Sequence, residues 1–551
     1  MLISKRAAIG RRGAPRARAI RFGAASLAAA MLYGCAGLPP GADFPKTASV
    51  TLAHPEETRL GQQFASAVHQ HSGLSAFRVI SVGVDGFRMR MQMIDAAQRT
   101  LDLQYFIFRG DETGRMLTDS LGRAAERGVR IRVLVDDGDT VAGDEQILRL
   151  LDHPSVEVRV FNPGSYRGHV HFLRDLDFVF HARRLDYRMH NKLLVADNAA
   201  ALIGGRNIGN QYFQIDPESQ FADDDVFTVG PIVGELSGTF DEFWNSDMAI
   251  PAKALGRKSS PSTDVVSRTE HERASGPSHT RPPKAAPIDY ASLLKTDQPF
   301  AAIVSGKLPL VWARARVVYD SPDKKQVING KLPGHLMATA VLDSVREVQS
   351  EFQLVTPYFI PAPDELQVLK DLRQRQARVR VLTNSLESAP ESSAQAGYDH
   401  YRVRLLEEGV ELYEVRALLG SVRGSGETKK VSRYGNYALH AKMYVFDRQK
   451  LFIGSMNYDQ RSKHINTEIG LIIDSSELAQ ETARRFDTMV KPEECYIVGL
   501  IGGDAPGKSP RLVWRTEVEG RMVEYTREPA RSAWQRLKVR LLALLPLDRE
   551  L

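Results

Sequence analysis

The stretch "HAKMYVFDRQKLFIGSMN", His440 to Asn457, sets a histidine and a lysine two residues apart ahead of an apolar, β-prone run. "HNKLLVADNAAALIGGRN", His190 to Asn207, has the same spacing: H-x-K, four residues, Asp, six residues, then G-x-x-N. Side chains of a strand alternate between its faces, so His190 and Lys192 share one face, as do His440 and Lys442. The polar stretches "DNAA" and "DRQK" between apolar runs predict tight turns, which makes each motif a β-hairpin. With the first turn centred between Asn198 and Ala199, His190 is expected opposite Asn207 and Lys192 opposite Gly205. The second copy then pairs His440 with Asn457. Opposed residues sit roughly 5 Å apart across a ladder, so each hairpin would gather an imidazole, an ammonium and a carboxamide.

That set suits negative oxygen. Imidazole serves as nucleophile or proton carrier near neutral pH, lysine supplies a compact positive charge, and asparagine donates hydrogen bonds. Two such sets meeting face to face let one histidine attack phosphorus while the other protonates the departing oxygen, the lysines and asparagines holding the remaining oxygens. A phosphohistidine follows, which water or an alcohol then displaces. This chemistry requires no metal, and no cofactor is implied. Asp197 and Asp447 complete the motif, but each also fits a turn residue at a strand end, a scaffold role in preference to direct chemistry. One H-x-K alone is compatible with a solvated surface hairpin; two full copies are not an ordinary coincidence.

The 551 residues are 43% apolar and 25% charged, which excludes global disorder and leaves room for more than one core. A net charge of +6 favours anionic partners, phospholipid or nucleic acid, without choosing between them. The arginine-rich start followed by "FGAASLAAAMLYGC" predicts a secretion signal over 1–35, too short to span a bilayer comfortably. Its "LYGC" resembles the lipobox of bacterial lipoproteins, which makes Cys35 the expected lipidation site, although Tyr33 is bulky for its position. An uncleaved signal-anchor is the alternative. Cys495 is the other cysteine, so an acylated Cys35 leaves no intramolecular disulfide.

The two halves repeat each other. "LDLQYFIFRGDETGRMLTDSLGRAAERGVRIRVLVDD" is answered by "FQLVTPYFIPAPDELQVLKDLRQRQARVRVLTNS", each reading strand, helix, strand upstream of its hairpin. The pattern predicts an α/β protein of two lobes, each a mostly parallel sheet flanked by helices, related by a pseudo-twofold axis that brings both histidines into one cleft. Expected boundaries are an N-terminal tether over 36–75, the first lobe over 76–250, a Ser- and Pro-rich flexible linker over 251–300, the second lobe over 301–495 and a C-terminal extension over 496–551. The Gly-rich basic stretch "GSVRGSGETKKVSRYGNYALH" before His440 fits either a mobile cover or an ordinary loop.

Three further features bear on function. His169, His171 and His181 lack the carboxylate or cysteine that would complete a metal site. Asp225 opens the strand "VFTVG" as Glu468 opens "IGLII", so both are placed to orient an imidazole, or else to cap a strand. The ending "SAWQRLKVRLLALLPLDREL" sets Trp534, Leu537, Leu541, Leu544 and Leu545 beside Arg536, Lys538 and Arg540. This is a short amphipathic basic helix, either packed on the body or laid on a bilayer.

Two copies of H-x-K-x4-D with G-x-x-N are the signature of the phospholipase D superfamily, which the chain resembles over about residues 75–495. "QYFIFRGDETGRML", "GVRIRVLVDD", "MHNKLLVADN", "VVYDSPDKK" and "TPYFIP" are similar to the bacterial cardiolipin synthases of the C-type branch. The resemblance implies transfer of a phosphatidyl group from phosphatidylglycerol to a second lipid, phosphatidylglycerol or phosphatidylethanolamine, at the bacterial envelope. It implies that His190 and His440 are nucleophile and general acid in an order left open. Lys192, Lys442, Asn207, Asn457 and Ser455 hold phosphate, and Asp225 and Glu468 orient the histidines. Gly205 departs from the family pattern, standing where Ser455 keeps the usual serine. The nearest rival is a phospholipase D that uses water and releases phosphatidic acid. A nuclease fits the charge but not the envelope address, and an inactive lipid-binding scaffold does not explain two intact motifs.

Overall fold

Apolar runs bounded by turn residues form the strands of both halves. In the first they are β1 (Ser75–Ile80), β2 (Thr100–Tyr105), β3 (Arg130–Asp136), β4 (Val156–Phe161), β5 (Leu193–Ala196), β6 (Ala200–Gly204), β7 (Ser219–Ala222), β8 (Asp225–Val229) and β9 (Ala249–Pro251). In the second they are β10 (Val311–Tyr319), β11 (Glu351–Val355), β12 (Phe359–Ile360), β13 (Arg378–Asn384), β14 (Glu411–Val415), β15 (Leu418–Leu419), β16 (Arg433–Tyr434), β17 (Asn436–Leu439), β18 (Met443–Phe446), β19 (Lys450–Gly454), β20 (Tyr458–Asp459), β21 (Ile469–Asp474), β22 (Cys495–Ile501), β23 (Arg511–Val518) and β24 (Arg521–Tyr525). The structure is a computed structural model and describes residues 38–138, 147, 149–164, 184–216, 219–255, 298–419, 433–434, 436–502 and 510–544. The expected signal with Cys35, the histidines His169, His171 and His181, nearly all of the 251–300 linker and most of the Gly-rich segment before His440 lie outside the described residues.

The first lobe pairs its strands in the order β9-β4-β3-β2-β5-β6-β8-β1, the second in the order β10-β21-β19-β18-β11-β13-β14-β22-β23-β24. An antiparallel contact between β1 and β10, with Ala76 opposite Trp312, joins the two edges into one 18-stranded sheet. Counting outward from this seam, eight strands on one side match eight on the other. The α/β class and the two lobes therefore stand, but the sheet is mixed instead of mostly parallel. In the first lobe only β2–β3 and β3–β4 run parallel, while the remaining five pairings are antiparallel. A parallel pair needs a long crossover, and the helix Glu112–Glu126 supplies one between β2 and β3. The H-x-K hairpin of β5 and β6 instead lies antiparallel along the other side of β2.

Three apolar layers result. One packs the helices Gly83–Ala96 and Glu112–Glu126 on the first lobe, and another covers the second lobe. The central one is shared: Phe240 and Trp244 of the helix Ile232–Asn245 join Leu478 and Phe486 of the helix Ser476–Met489 in a single cluster. The lobes are therefore welded by a core, to which each fully buried aromatic contributes roughly 1.5–3 kcal/mol.

Two boundaries shift. The segment expected to be a tether is docked along the first lobe, with Ser49 N–H donating to Asn245 Oδ1 at 3.0 Å and Thr51 N–H to Asp241 Oδ2 at 2.8 Å. It then forms the helix Arg59–Gln70, whose Leu60 and Phe64 enter the core. At the other end, the boundary drawn at 495/496 cuts β22, which pairs with β14 and carries β23 and β24 as further strands of the second lobe.

Candidate active site

Each hairpin turns on two residues in the left-handed region, Asp197 and Asn198 at φ 52° and 50°, and Asp447 and Arg448 at 52° and 54°. A third loop residue, Ala199, follows, so Ala196 pairs with Ala200 and Leu193 with Ile203. The expected register placed Gly204 opposite Leu193 and is off by one residue; in the second copy Met443 pairs with Ile453. His190 and Asn207, like His440 and Asn457, stand beyond the ladder in the loops at its open end. Asp197 and Asp447 stand at the opposite end. Asp197 accepts from the N–H groups of Gln98, Arg99 and Thr100 at 2.8, 2.7 and 2.9 Å. Asp447 does the same for Gln349, Ser350 and Glu351 at 2.9, 2.7 and 3.0 Å. Their grouping with the catalytic side chains needs correction: they fix where β2 and β11 begin.

The imidazoles are held across the lobe boundary. His190 Nδ1 lies 2.8 and 3.1 Å from the two oxygens of Glu468, and its backbone N–H donates to Thr467 O at 2.9 Å. His440 Nδ1 donates to Asp223 Oδ2 at 2.5 Å, and its N–H to Ala222 O at 2.7 Å. The parallel pairing of β17 with β7 delivers the second contact, setting Leu439 beside Ala222. Each histidine of one lobe thus takes its carboxylate from the other.

Asp223, not Asp225, is therefore the partner of His440. Asp225 is the first residue of β8 and turns inward to Arg90 Nη1 at 2.8 Å and Arg206 Nη1 at 3.1 Å. Burial acts to raise its pKa, but the two guanidinium groups outweigh it and hold the carboxyl below its ordinary range. Arg206 in turn donates to the backbone O of Asp223. Asp225 supports the site at one remove.

The Gly205 departure has a steric cause. A Cβ there would meet Asp223 Oδ1 at 2.1 Å and its Cγ at 2.8 Å, so the carboxylate of the first lobe occupies the space a serine would need. In the second lobe the longer Glu468 leaves room, and Ser455 Oγ donates to Glu468 Oε2 at 2.5 Å while accepting from Ile469 N–H at 3.0 Å. The expected phosphate-holding role of Ser455 is corrected accordingly, since its single O–H is committed to the carboxylate.

Lys192 and Lys442 each curl back to donate to the carbonyl of their own histidine, and Lys442 Nζ lies 3.0 and 3.2 Å from the ring nitrogens of His440. Burial, then Lys192 and Lys442, hold the His190 pKa well below its ordinary value. Burial, then Lys442, push His440 down to about 3 against the pull of Asp223, and Lys192 adds to the depression. Burial also lowers Lys192 far below its usual range and brings Lys442 to about 8, while it raises Glu468 to about 7 against Lys192. The two lysines thus act on each other's histidine, so both sets share one electrostatic environment. Asn207 Oδ1 accepts from Ile107 N–H at 3.1 Å, leaving its Nδ2 buried without a partner among the described residues. Asn457 has its amide oxygen in the same condition, and turning that amide over exchanges oxygen for nitrogen. A buried orphan donor costs roughly 1–3 kcal/mol, which an anionic ligand would recover.

Several supporting residues escape the motif. Asp136 Oδ2, at the end of β3, accepts from Met189 N–H at 2.8 Å; Asn384, at the end of β13, brackets Leu439 through both backbone groups at 2.8 and 2.9 Å. Each fixes the residue before its histidine. The buried Lys324 binds Asp320 Oδ2 at 2.9 Å, and that oxygen also accepts from Glu468 N–H at 3.0 Å. "VLVDD", "LTNS" and "YDSPDKK" carry these residues in the sequence, but nothing there said what they grip. Phe106 packs edge-on against His190, and Phe221 stacks on His440.

Two duplicated lobes welded into one sheet, with imidazoles and lysines that share one electrostatic environment, are the arrangement of a phospholipase D-type phosphatidyltransferase, the class the comparisons give. The family described as cardiolipin synthase, PLD-like domain, matches residues 91–244 and 341–490. Cardiolipin synthase C of Escherichia coli (strain K12) is 33% identical over 500 residues, covering 89% of this chain and 99% of that protein. The major cardiolipin synthase ClsA of Bacillus subtilis (strain 168) is 24% identical over 76% of this chain and 70% of its own length. Phosphatidylserine synthase of Haemophilus influenzae Rd KW20 shares the fold, with a TM-score of 0.50 and 12% identity over 79% of this chain and 92% of that one. The chain belongs to the cardiolipin synthase family of phospholipase D-like proteins.

Proposed function

We propose that the chain makes cardiolipin by passing a phosphatidyl group through one of its two histidines. The observation that carries this reading is the crossed pairing of His190 with Glu468 and His440 with Asp223. Each carboxylate fixes Nδ1–H, which leaves Nε2 as the reactive atom of both rings. In the first half-reaction Nε2 of one ring forms an N–P bond as the P–O bond to the glycerol headgroup breaks, and the other ring gives its proton to the departing oxygen. In the second, the hydroxyl of an incoming lipid surrenders its proton to that now neutral ring and attacks phosphorus, and the N–P bond breaks. Lys192, Lys442, Asn207 and Asn457 hold the phosphate oxygens through both steps.

Burial and lysine repulsion keep both rings unprotonated in the free protein at neutral pH. A phosphodiester between the lysines opposes that repulsion and lets one ring keep the proton the leaving group takes. Cardiolipin carries two phosphatidyl groups on one glycerol, so the acceptor must offer a glycerol hydroxyl; phosphatidylethanolamine has none and serves only as a donor. Lipidation at Cys35 would keep the enzyme at the envelope beside these substrates. No helix among the described residues is long and apolar enough to cross a membrane.

Incubation with phosphatidylglycerol labelled in its headgroup tests the reading. Cardiolipin and one released glycerol per transfer are expected; phosphatidic acid as sole product would assign the hydrolase instead.

A further inference from the structure

The helix Ala533–Leu542 does not bury its apolar stripe. Val539 packs on Leu386 and Ala396, and Gln535 Nε2 donates to Leu386 O at 2.6 Å, so the helix is fixed to the body by one side. On the other side Trp534, Leu537, Leu541 and Leu544 are 68, 47, 54 and 79% exposed. With 3.6 residues per turn Trp534, Leu537 and Leu541 fall within an arc of about 60°, and Leu544 follows in the turn after the helix. Lys538 and Arg540, both exposed, flank that arc on either side. Residues 527–540 carry five basic side chains against one acid. An apolar stripe edged by cations is the form that lies in the interface of an anionic bilayer, whereas a protein contact that buried the stripe would also have to find partners for the flanking charges.

Location strengthens the point. The helix rests on the loop after β13, through Leu386 and, from Arg531, Glu387 O. Asn384, at the start of that loop, is the residue that brackets Leu439 ahead of His440. The helix also packs on Ser392–Asp399, whose Tyr398 meets Phe359, and Phe359 meets Tyr458 next to Asn457. The stripe therefore stands at the end of the second lobe where the reactive loops emerge.

We infer that this helix is an interfacial docking element that seats the site against an anionic phospholipid surface, Trp534 and the leucines entering the acyl boundary and Lys538 and Arg540 meeting lipid phosphates. The role of docking in turnover rests on the proposed phospholipid substrate, but the docking itself is read without any reaction. Full-length protein is mixed with vesicles of phosphatidylglycerol and phosphatidylethanolamine brominated in their acyl chains. Of the four tryptophans, Trp244 and Trp514 are buried and Trp534 is the exposed one. Quenching of a share of the emission is expected, lost in Trp534→Phe, weakened by salt and by Lys538→Glu with Arg540→Glu, and small on phosphatidylcholine. Leu537→Ser with Leu541→Ser is expected to lower turnover on vesicles by about tenfold and to leave turnover on monomeric short-chain phosphatidylglycerol within about twofold. The same quenched fraction in wild type and Trp534→Phe, no quenching in either included, or unchanged vesicle turnover in the leucine variant, overturns the inference and assigns the stripe to a protein contact. Quenching without any cardiolipin formed would instead overturn the reading of the reaction and leave docking intact.

Discussion

The two half-sites share a backbone frame and differ in what fills it. In one, Glu468 reaches His190 and is steadied by Ser455; in the other, the shorter Asp223 reaches His440 and takes the place of the missing serine side chain at Gly205. One methylene more in the carboxylate is matched by a hydroxymethyl gained on the hairpin. The departure from the motif at Gly205 is matched sterically to the carboxylate of Asp223, so the two positions vary as a pair.

The harshest way to break this equivalence is to remove either ring. His190→Ala and His440→Ala are each expected to cost about a thousandfold or more in cardiolipin formation, the double variant little more than either alone. A single variant retaining a tenth of the activity would make the halves unequal. Next in size, Asp223→Asn is expected to lower kcat by roughly 10–100-fold with the melting temperature nearly kept. Asp225→Asn strips the anion from Arg90 and Arg206 and is expected to destabilise by roughly 3–5 kcal/mol in thermal or urea unfolding. Exchanged phenotypes would restore Asp225 as the orienting group. Gly205→Ser is expected to match Asp223→Asn in lost turnover, and Gly205→Ser with Asp223→Glu to regain part of it by rebuilding the pattern of the second lobe. No regain would mean that the swap is not compensation.

The pH profile of kcat/KM sharpens the comparison further. Glu468 ionises at about 7, so below that pH it is neutral and His190 loses its acceptor; Lys442 loses its charge above about 8. A bell between these limits is expected in wild type, and Glu468→Gln should remove the acid limb. The smallest effect is expected at the turns. Asp447→Asn should cost roughly 1–3 kcal/mol of stability and leave kcat per folded molecule nearly unchanged.

Much of this was legible because it is local or repeated. The spacing of His190, Lys192 and Asn207 against His440, Lys442 and Asn457 disclosed duplication, hairpins and convergence. Register failed where backbone geometry intervened: two left-handed residues and one more, Asp197 to Ala199, shift the ladder by one. The carboxylate failed for a different reason. Asp225 was chosen from three consecutive aspartates, Asp223 to Asp225, because it opens its strand, but the two loops between asparagine and carboxylate differ in length, 16 positions from Asn207 to Asp223 and 11 from Asn457 to Glu468. A signal did exist in Arg206, which stands where the second copy has Met456: a buried arginine demands an anion, and Asp225 is that anion. Strand direction lay beyond periodicity, which cannot tell a parallel neighbour from an antiparallel one.

The crossed carboxylates also bear on how such a chain can have diverged. Since the residue that tunes each ring is encoded in the opposite half of the gene, a change in either half is felt first by the other, and neither half can drift or be inherited alone. Separately expressed halves should be silent until mixed, behaving as the subunits of an obligate dimer.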